Sequence, residues 1–265
     1  MQYRLYDIDP RLKPFVKVIC SVESEPAVVS PVPLRVLPDA CVELFVNFGE
    51  PQQVVSHTTD TTLPVRSFIT SRMSNFMDVK AQRSVNFLSI CFYSGRAYPF
   101  FQVPMHDLAN QLIDLGELWG RCVDDMQERM DRAKTMAQRV QLIQQYLVAR
   151  LQKLGTIDSG VDFCIGQVNQ ANGQLSLEEL ANRVGISNRQ LIRRFNQFVG
   201  LSPKEFARIT SFLNALKQLK KYPALSLTEI AYESAYYDQA HFIHACRAYS
   251  GLTPSQLVTS TNVLY

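Results

Sequence analysis

The chain has 265 residues, 46% hydrophobic and 19% charged, with a formal net charge of +3, a globular composition of a length suited to two ordinary domains. No apolar run approaches the roughly 18 residues that span a bilayer, and the stretch from Met1 to Asp7 has an early acid and no apolar core, so neither an anchor nor a signal peptide is expected and the protein is placed in the cytoplasm. The positive excess lies late in the chain, where ten Lys and Arg from Gly160 onward stand against seven Asp and Glu; a polyanion would need it there, although a nonspecific architectural DNA binder would carry far more.

From about Leu34 to Tyr93, short segments rich in β-branched and aromatic residues predict strands. Val42, Leu44, Val46 and Phe48 alternate onto one face, and Val85 to Tyr93 is nearly continuous enough for a buried strand. Gln53 to Thr58 and Pro64 to Thr70 are weaker candidates, with Pro31, Pro33, Pro38, Gly49 and Pro51 marking turns. Many short strands point to a small barrel or sandwich. Outside the last third only His57 and His106 occur, too few for a His and carboxylate cluster, so no metal, no cofactor and no catalysis are expected. Arg35, Arg66, Arg72 and Arg96 are candidates for an anionic effector, with a plain surface role the alternative for each. The six cysteines, Cys20, Cys41, Cys91, Cys122, Cys164 and Cys246, show no C-x-x-C pair and read as free thiols.

After Pro104 the pattern turns helical. Leu108, Leu112, Leu115, Leu118 and Trp119 form one stripe, and Val123, Met126, Met130 and Ala133 a second. Thr135 with Gln138 is a capping-box signature that opens a third helix through Val140, Ile143, Leu147, Leu151 and Leu154, with Gly155 as the stop. This segment reads as a hairpin packed on the strands, which a dimer interface built from the same stripe would not exclude. Gly155 to Gly160 then serves as a linker.

The last third contains a repeat. Ser176-Leu177-Glu178-Glu179-Leu180-Ala181 aligns with Ser226-Leu227-Thr228-Glu229-Ile230-Ala231 at an offset of 50, and Gly200-Leu201-Ser202-Pro203 with Gly251-Leu252-Thr253-Pro254 at 51. Each copy reads as helix, tight turn, helix. In the first, Ser176 and Ser187 are the N-caps, Gly185 supplies the turn, and Leu191, Phe195 and Phe198 face inward. Its outward face is Asn188, Arg189, Ile192, Arg193 and Asn196, with Arg194 a third arginine and no acid among them. Arg and Asn are the side chains that pair bidentately with guanine and adenine in a major groove.

In the second copy Ala235 stands in the place of Gly185, Asp238 caps, and Phe242 and Cys246 face inward. Gln239, Ala240, His241 and His244 point outward and Arg247 is placed for a phosphate; two histidines without a third ligand do not make a metal site. Between the copies, Pro203 to about Lys221 predicts one long helix that would fix the spacing of the two units.

In these motifs, over roughly Asp158 to Gln256, the chain resembles the AraC family of bacterial transcription regulators. The resemblance implies an α+β multidomain fold, with a β-rich, cupin-like N-terminal domain bearing a helical hairpin and an all-α C-terminal domain with two helix-turn-helix modules. The expected division is a sensing domain over 1–104, a helical segment and possible dimer interface over 105–157, and the DNA-binding domain over 158–265. Base contacts are implied at Arg189, Ile192 and Arg193 in one module and at Gln239, Ala240, His241 and His244 in the other. The implied partners are promoter DNA, RNA polymerase, a small-molecule effector and a second copy of the chain. An enzyme or DNA-repair protein with an appended DNA-binding part is the alternative, although no thiol lies beside a base to support it.

Overall fold

The computed structural model describes residues 2–24, 33–49, 53–56, 60–62, 66–71, 74–80, 85–154 and 157–264. Its strands run β1 (Gln2–Leu5), β2 (Val16–Glu23), β3 (Leu34–Val36), β4 (Val42–Asn47), β5 (Gln53–Ser56), β6 (Asp60–Thr62), β7 (Ser67–Ser71), β8 (Met77–Lys80) and β9 (Asn86–Phe92). Then come α1 (Tyr98–Phe101), a 3-10 turn over Met105–Leu108, β10 (Leu112–Asp114), α2 (Leu115–Trp119), α3 (Cys122–Arg132) and α4 (Met136–Leu154). The rest is α5 (Ser159–Gln170), α6 (Leu177–Val184), α7 (Asn188–Phe198), α8 (Pro203–Lys221), α9 (Leu227–Glu233), α10 (Gln239–Ser250), α11 (Pro254–Thr259) and β11 (Val263–Leu264).

One sheet has the order β1-β2-β9-β4-β7-β10, with each pair antiparallel, and the second has the order β11-β3-β8-β5-β6. The alternation expected in β4 holds: Val42, Leu44 and Val46 are buried, opposite Phe92, Ile90 and Leu88 of β9. That apolar face is covered by α1 to α4, through Phe100, Trp119, Met126, Met130, Ile143 and Leu147. The Trp119 indole N–H donates to the Phe100 carbonyl at 3.1 Å, and the Arg150 guanidinium lies 4.4 Å from the centre of the Trp119 ring. The inward stripe of α3 and α4 is therefore consumed by the sheet, and a partner copy would have to meet these helices on other faces. Where Met77 packs with Phe68, Val79 and Leu112, the two sheets touch.

Two sequence expectations change, and one hairpin adds to them. Residues 105–119 form a 3-10 turn, a strand and a five-residue helix rather than one helix, because Leu112 to Asp114 pairs with Phe68 to Thr70 at the sheet edge. The hairpin β1–β2 carried no clean pattern, since β1 is an exposed edge and β2 is buried on both sides. The predicted linker ends in α5, capped by Asp158, whose Oδ1 accepts from the Val161 N–H at 3.0 Å. The expected strands at Gln53 and Pro64 fall partly outside the described residues.

The helix boundaries after Leu154 follow side-chain chemistry closely. Ser176 with Glu179, Ser187 with Gln190, Ser226 with Glu229 and Thr253 with Gln256 form four reciprocal capping boxes. Gly185 and Gly251 sit in the left-handed region as caps of α6 and α10. No helix among the described residues is long and apolar enough to cross a membrane.

Candidate nucleic-acid interface

The first helix-turn-helix is α6 and α7. Leu180, Ala181, Leu191 and Phe195 bury its inner face with Val161, Cys164 and Val168 of α5 and Phe206 and Ile209 of α8. That anchoring leaves Asn188, Arg189 and Arg193 exposed along one side of α7, with Ile192 and Asn196 half-buried beside them. Arg194 is placed differently. It lies on the flank, where its guanidinium is 3.5 Å from the Asp158 carboxylate, so it ties α7 to the start of α5.

The second unit, α9 and α10, repeats this plan around Ile230, Ala231, Phe242 and Cys246, all fully buried against Phe212, Ala215 and Leu216 of α8. Burial pushes the Cys246 thiol up to about 12, consistent with a small inert core group where the first unit has Phe195. All six cysteines are free. Gln239, Ala240, His241, His244 and Arg247 are exposed. Two of them already have local partners: the Thr228 hydroxyl donates to Gln239 Oε1 at 3.1 Å, and His241 Nδ1 accepts from the Tyr237 N–H at 3.4 Å. At the offset of 51, His241 corresponds to Gln190, whose Oε1 accepts the Ser187 N–H at 3.0 Å. His241 thus closes the chain one residue before the cap Asp238, where Gln190 bonds the cap itself, and the outer side of α10 presents Ala240, His244 and Arg247.

Ala235 has φ +64°, beside +69° at Gly185, so the second turn is built in a left-handed conformation with a Cβ in place. Ala235→Gly is expected to raise the unfolding free energy by up to about 1 kcal/mol, with the greater freedom of glycine in the unfolded chain offsetting part of it. Thermal denaturation checks this, and a lower midpoint would contradict it.

The N-terminal part bears on the chain just beyond α7 and α10 at matching places. Beyond α7, Gly200 is so close to the 3-10 turn that a Cβ would stand 2.7 Å from the Met105 carbonyl oxygen. Tyr98 packs on Phe198 with ring centres 4.7 Å apart, and Arg96 reaches Asp162 of α5 at 2.5 Å. Beyond α10, at the equivalent Gly251, a Cβ would stand 2.7 Å from the Phe76 ring. Arg35, which lies over Phe76 and pairs with Asp78 at 2.7 Å, donates to the Ser250 carbonyl at 3.0 Å. Leu37 and Phe76 join the core of the second unit, Ala40 joins that of the first, and β11 pairs in parallel with β3. Arg35 is therefore a fixed contact between the sheet and α10. These docking points leave no local trace in the sequence, where only the repeat of Gly200 and Gly251 is visible.

Two copies of a helix-turn-helix, one with exposed arginines along its second helix, define a DNA-binding domain of the kind that transcription regulators use. Residues 180–260 match the helix-turn-helix domain family, and residues 6–114 match a domain of unknown function (DUF6597). An uncharacterized HTH-type transcriptional regulator of Haemophilus influenzae is 32% identical over 102 residues, 37% of this chain and 33% of its own length. The HTH-type transcriptional regulator GbdR of Pseudomonas aeruginosa is 32% identical over 80 residues, 30% of this chain and 22% of its own. The chain thus spans a third or less of these relatives. Among solved structures, ToxT of Vibrio cholerae with a bound unsaturated fatty acid aligns over 98% of this chain and 99% of its own, at 11% identity and a TM-score of 0.47. A probable AraC family transcriptional regulator of Rhodopseudomonas palustris aligns over 38% of this chain and 95% of its own, at 22% identity and a TM-score of 0.35. Residues 180–260 thus carry a helix-turn-helix domain similar to the one in these HTH-type transcriptional regulators.

Proposed function

We propose that the chain is a one-component regulator in which α7 and α10 enter adjacent major grooves of one promoter. The observation that carries this is the exposed row Asn188, Arg189 and Arg193 on a helix capped at Ser187 and anchored through Leu191 and Phe195. Asn188, Arg189, Ile192, Arg193 and Asn196 read bases or line the groove in the first module. In the second, Gln239, Ala240 and His244 face the bases, His241 holds the turn, and Arg247 meets a phosphate; Arg194 supports α7 from the side. We further propose the division into 1–104 for sensing, 105–157 as the helical segment and 158–265 for DNA binding. The paired contacts at Gly200 and Gly251 would let the first of these set the angle between the two reading helices. A small-molecule effector, a second copy and RNA polymerase are the proposed partners in the cytoplasm.

The test is selection of duplexes from a randomised pool by the full chain, followed by binding to the enriched duplex and to random DNA. Arg193→Ala is expected to weaken the enriched duplex by about 1–3 kcal/mol, a bidentate base contact, and random DNA by much less. Equal losses on both would remove Arg193 from base reading, and failure to enrich any sequence would overturn the proposal as a whole.

A further inference from the structure

The turn before α10 holds one residue that the turn before α7 lacks. Ile186 donates its N–H to the Ala181 carbonyl and is followed directly by the cap Ser187. Its counterpart Tyr236 donates in the same way to Ala231, but Tyr237 then intervenes before the cap Asp238. The two neighbouring tyrosines go opposite ways. Tyr236 is buried against Phe242, with ring centres 5.2 Å apart, whereas Tyr237 is 84% exposed, more than any other large hydrophobic side chain described. Its backbone is nevertheless fixed, because its N–H is held by His241 Nδ1 and its neighbour is anchored in the core. A large aromatic displayed on a rigid backbone costs little side-chain order when it meets a surface.

The place also matters. Tyr237 stands at the entry of the helix that would lie in the groove, and that helix has few groups to hold DNA. At the positions of Arg189 and Arg193 it has Ala240 and His244. We propose that Tyr237 is a DNA-backbone contact, its phenol O–H donating to a phosphate oxygen at the edge of the groove entered by α10. The inference rests on the reading of α10 as the second recognition helix. It gives a neutral donor to a weak module, which adds grip without displacing a counterion.

The experiment uses the full chain, the duplex enriched by the wild type and a random duplex of the same length, each over a range of salt. Tyr237→Phe removes only the hydroxyl and is expected to weaken both duplexes alike, about tenfold, the effect of a hydrogen bond to a charged group. Tyr237→Ala should lose at least as much, and the salt slope should stay that of the wild type. Arg247→Ala, in contrast, should lower the slope by about one ion. Unchanged affinity of both tyrosine variants overturns the inference, including the case where transcription falls and the residue serves a protein partner. A loss confined to the enriched duplex overturns it too, since that marks a base contact. If Arg247→Ala is also silent, the placement of α10 on DNA has failed, which is a separate result from silence at Tyr237 alone.

Discussion

Phe195→Ala is expected to cost about 3–5 kcal/mol of stability and to abolish DNA binding at growth temperature. Phe195 is fully buried on the inner side of α7, among Leu180, Leu191, Val199 and Phe206, with the Phe206 ring 6.1 Å away. Removing it leaves a cavity beneath the helix that displays Arg189 and Arg193, and the side chains around such a space relax into it only in part. A loss of that size is a large part of the stability of an ordinary domain, about 5–15 kcal/mol. The counterpart in the second unit is Cys246, equally buried but small. Cys246→Ala should cost about 1 kcal/mol, the usual effect of a point change. Urea denaturation of the two variants measures the difference. Equal costs would mean that the two units do not depend on their inner faces in the way described.

Much of this part of the molecule was legible because its signals are local. Ser176, Ser187 and Asp238 are followed within three residues by the N–H groups they cap, and Gly185 directly follows the last residue of α6. Ala235 was placed in a left-handed turn from the repeat alone, and its φ of +64° bears that out. Long-range pairing left no such trace. Nothing near Val263 says that it will lie beside Arg35, and nothing near Arg35 says that its guanidinium will bridge Asp78 and Ser250. Leu112 to Asp114 fitted a helical stripe until the open edge of β7 was available to pair with it. The same limit applies to the candidate site. The outward side of α7 could be read from helical spacing, but the diversion of Arg194 to Asp158 and of His241 to the Tyr237 N–H depends on what lies next to each helix.

Glu43→Gln is expected to stabilise the chain by about 3 kcal/mol at pH 8, at about 1.36 kcal/mol per pKa unit, and to change little near pH 4. Glu43 lies on β4 directly across from Cys91 of β9, on the side of the sheet away from the helices. Burial pushes its carboxyl up from 4.5 to about 7, and the nearby Asp39 charge adds to this. A hydrogen bond with the Cys91 thiol and the Lys17 ammonium oppose it without prevailing. The folded chain therefore holds this proton more tightly than the unfolded chain does. Stability from this group is fully present below about 4.5, declines as pH rises toward 7, and is gone above it. Gln keeps the shape and an oxygen for the thiol but has no charge to desolvate, so its denaturation midpoint should lose this slope between pH 5 and 8. A wild type and a variant with parallel pH profiles would sink the prediction. The effect falls at a sensitive place, because Asp39 lies between Leu37, built into the core of the second unit, and Ala40, built into that of the first. Charge that accumulates at Glu43 thus presses on a short segment that, like α8, is packed into both cores.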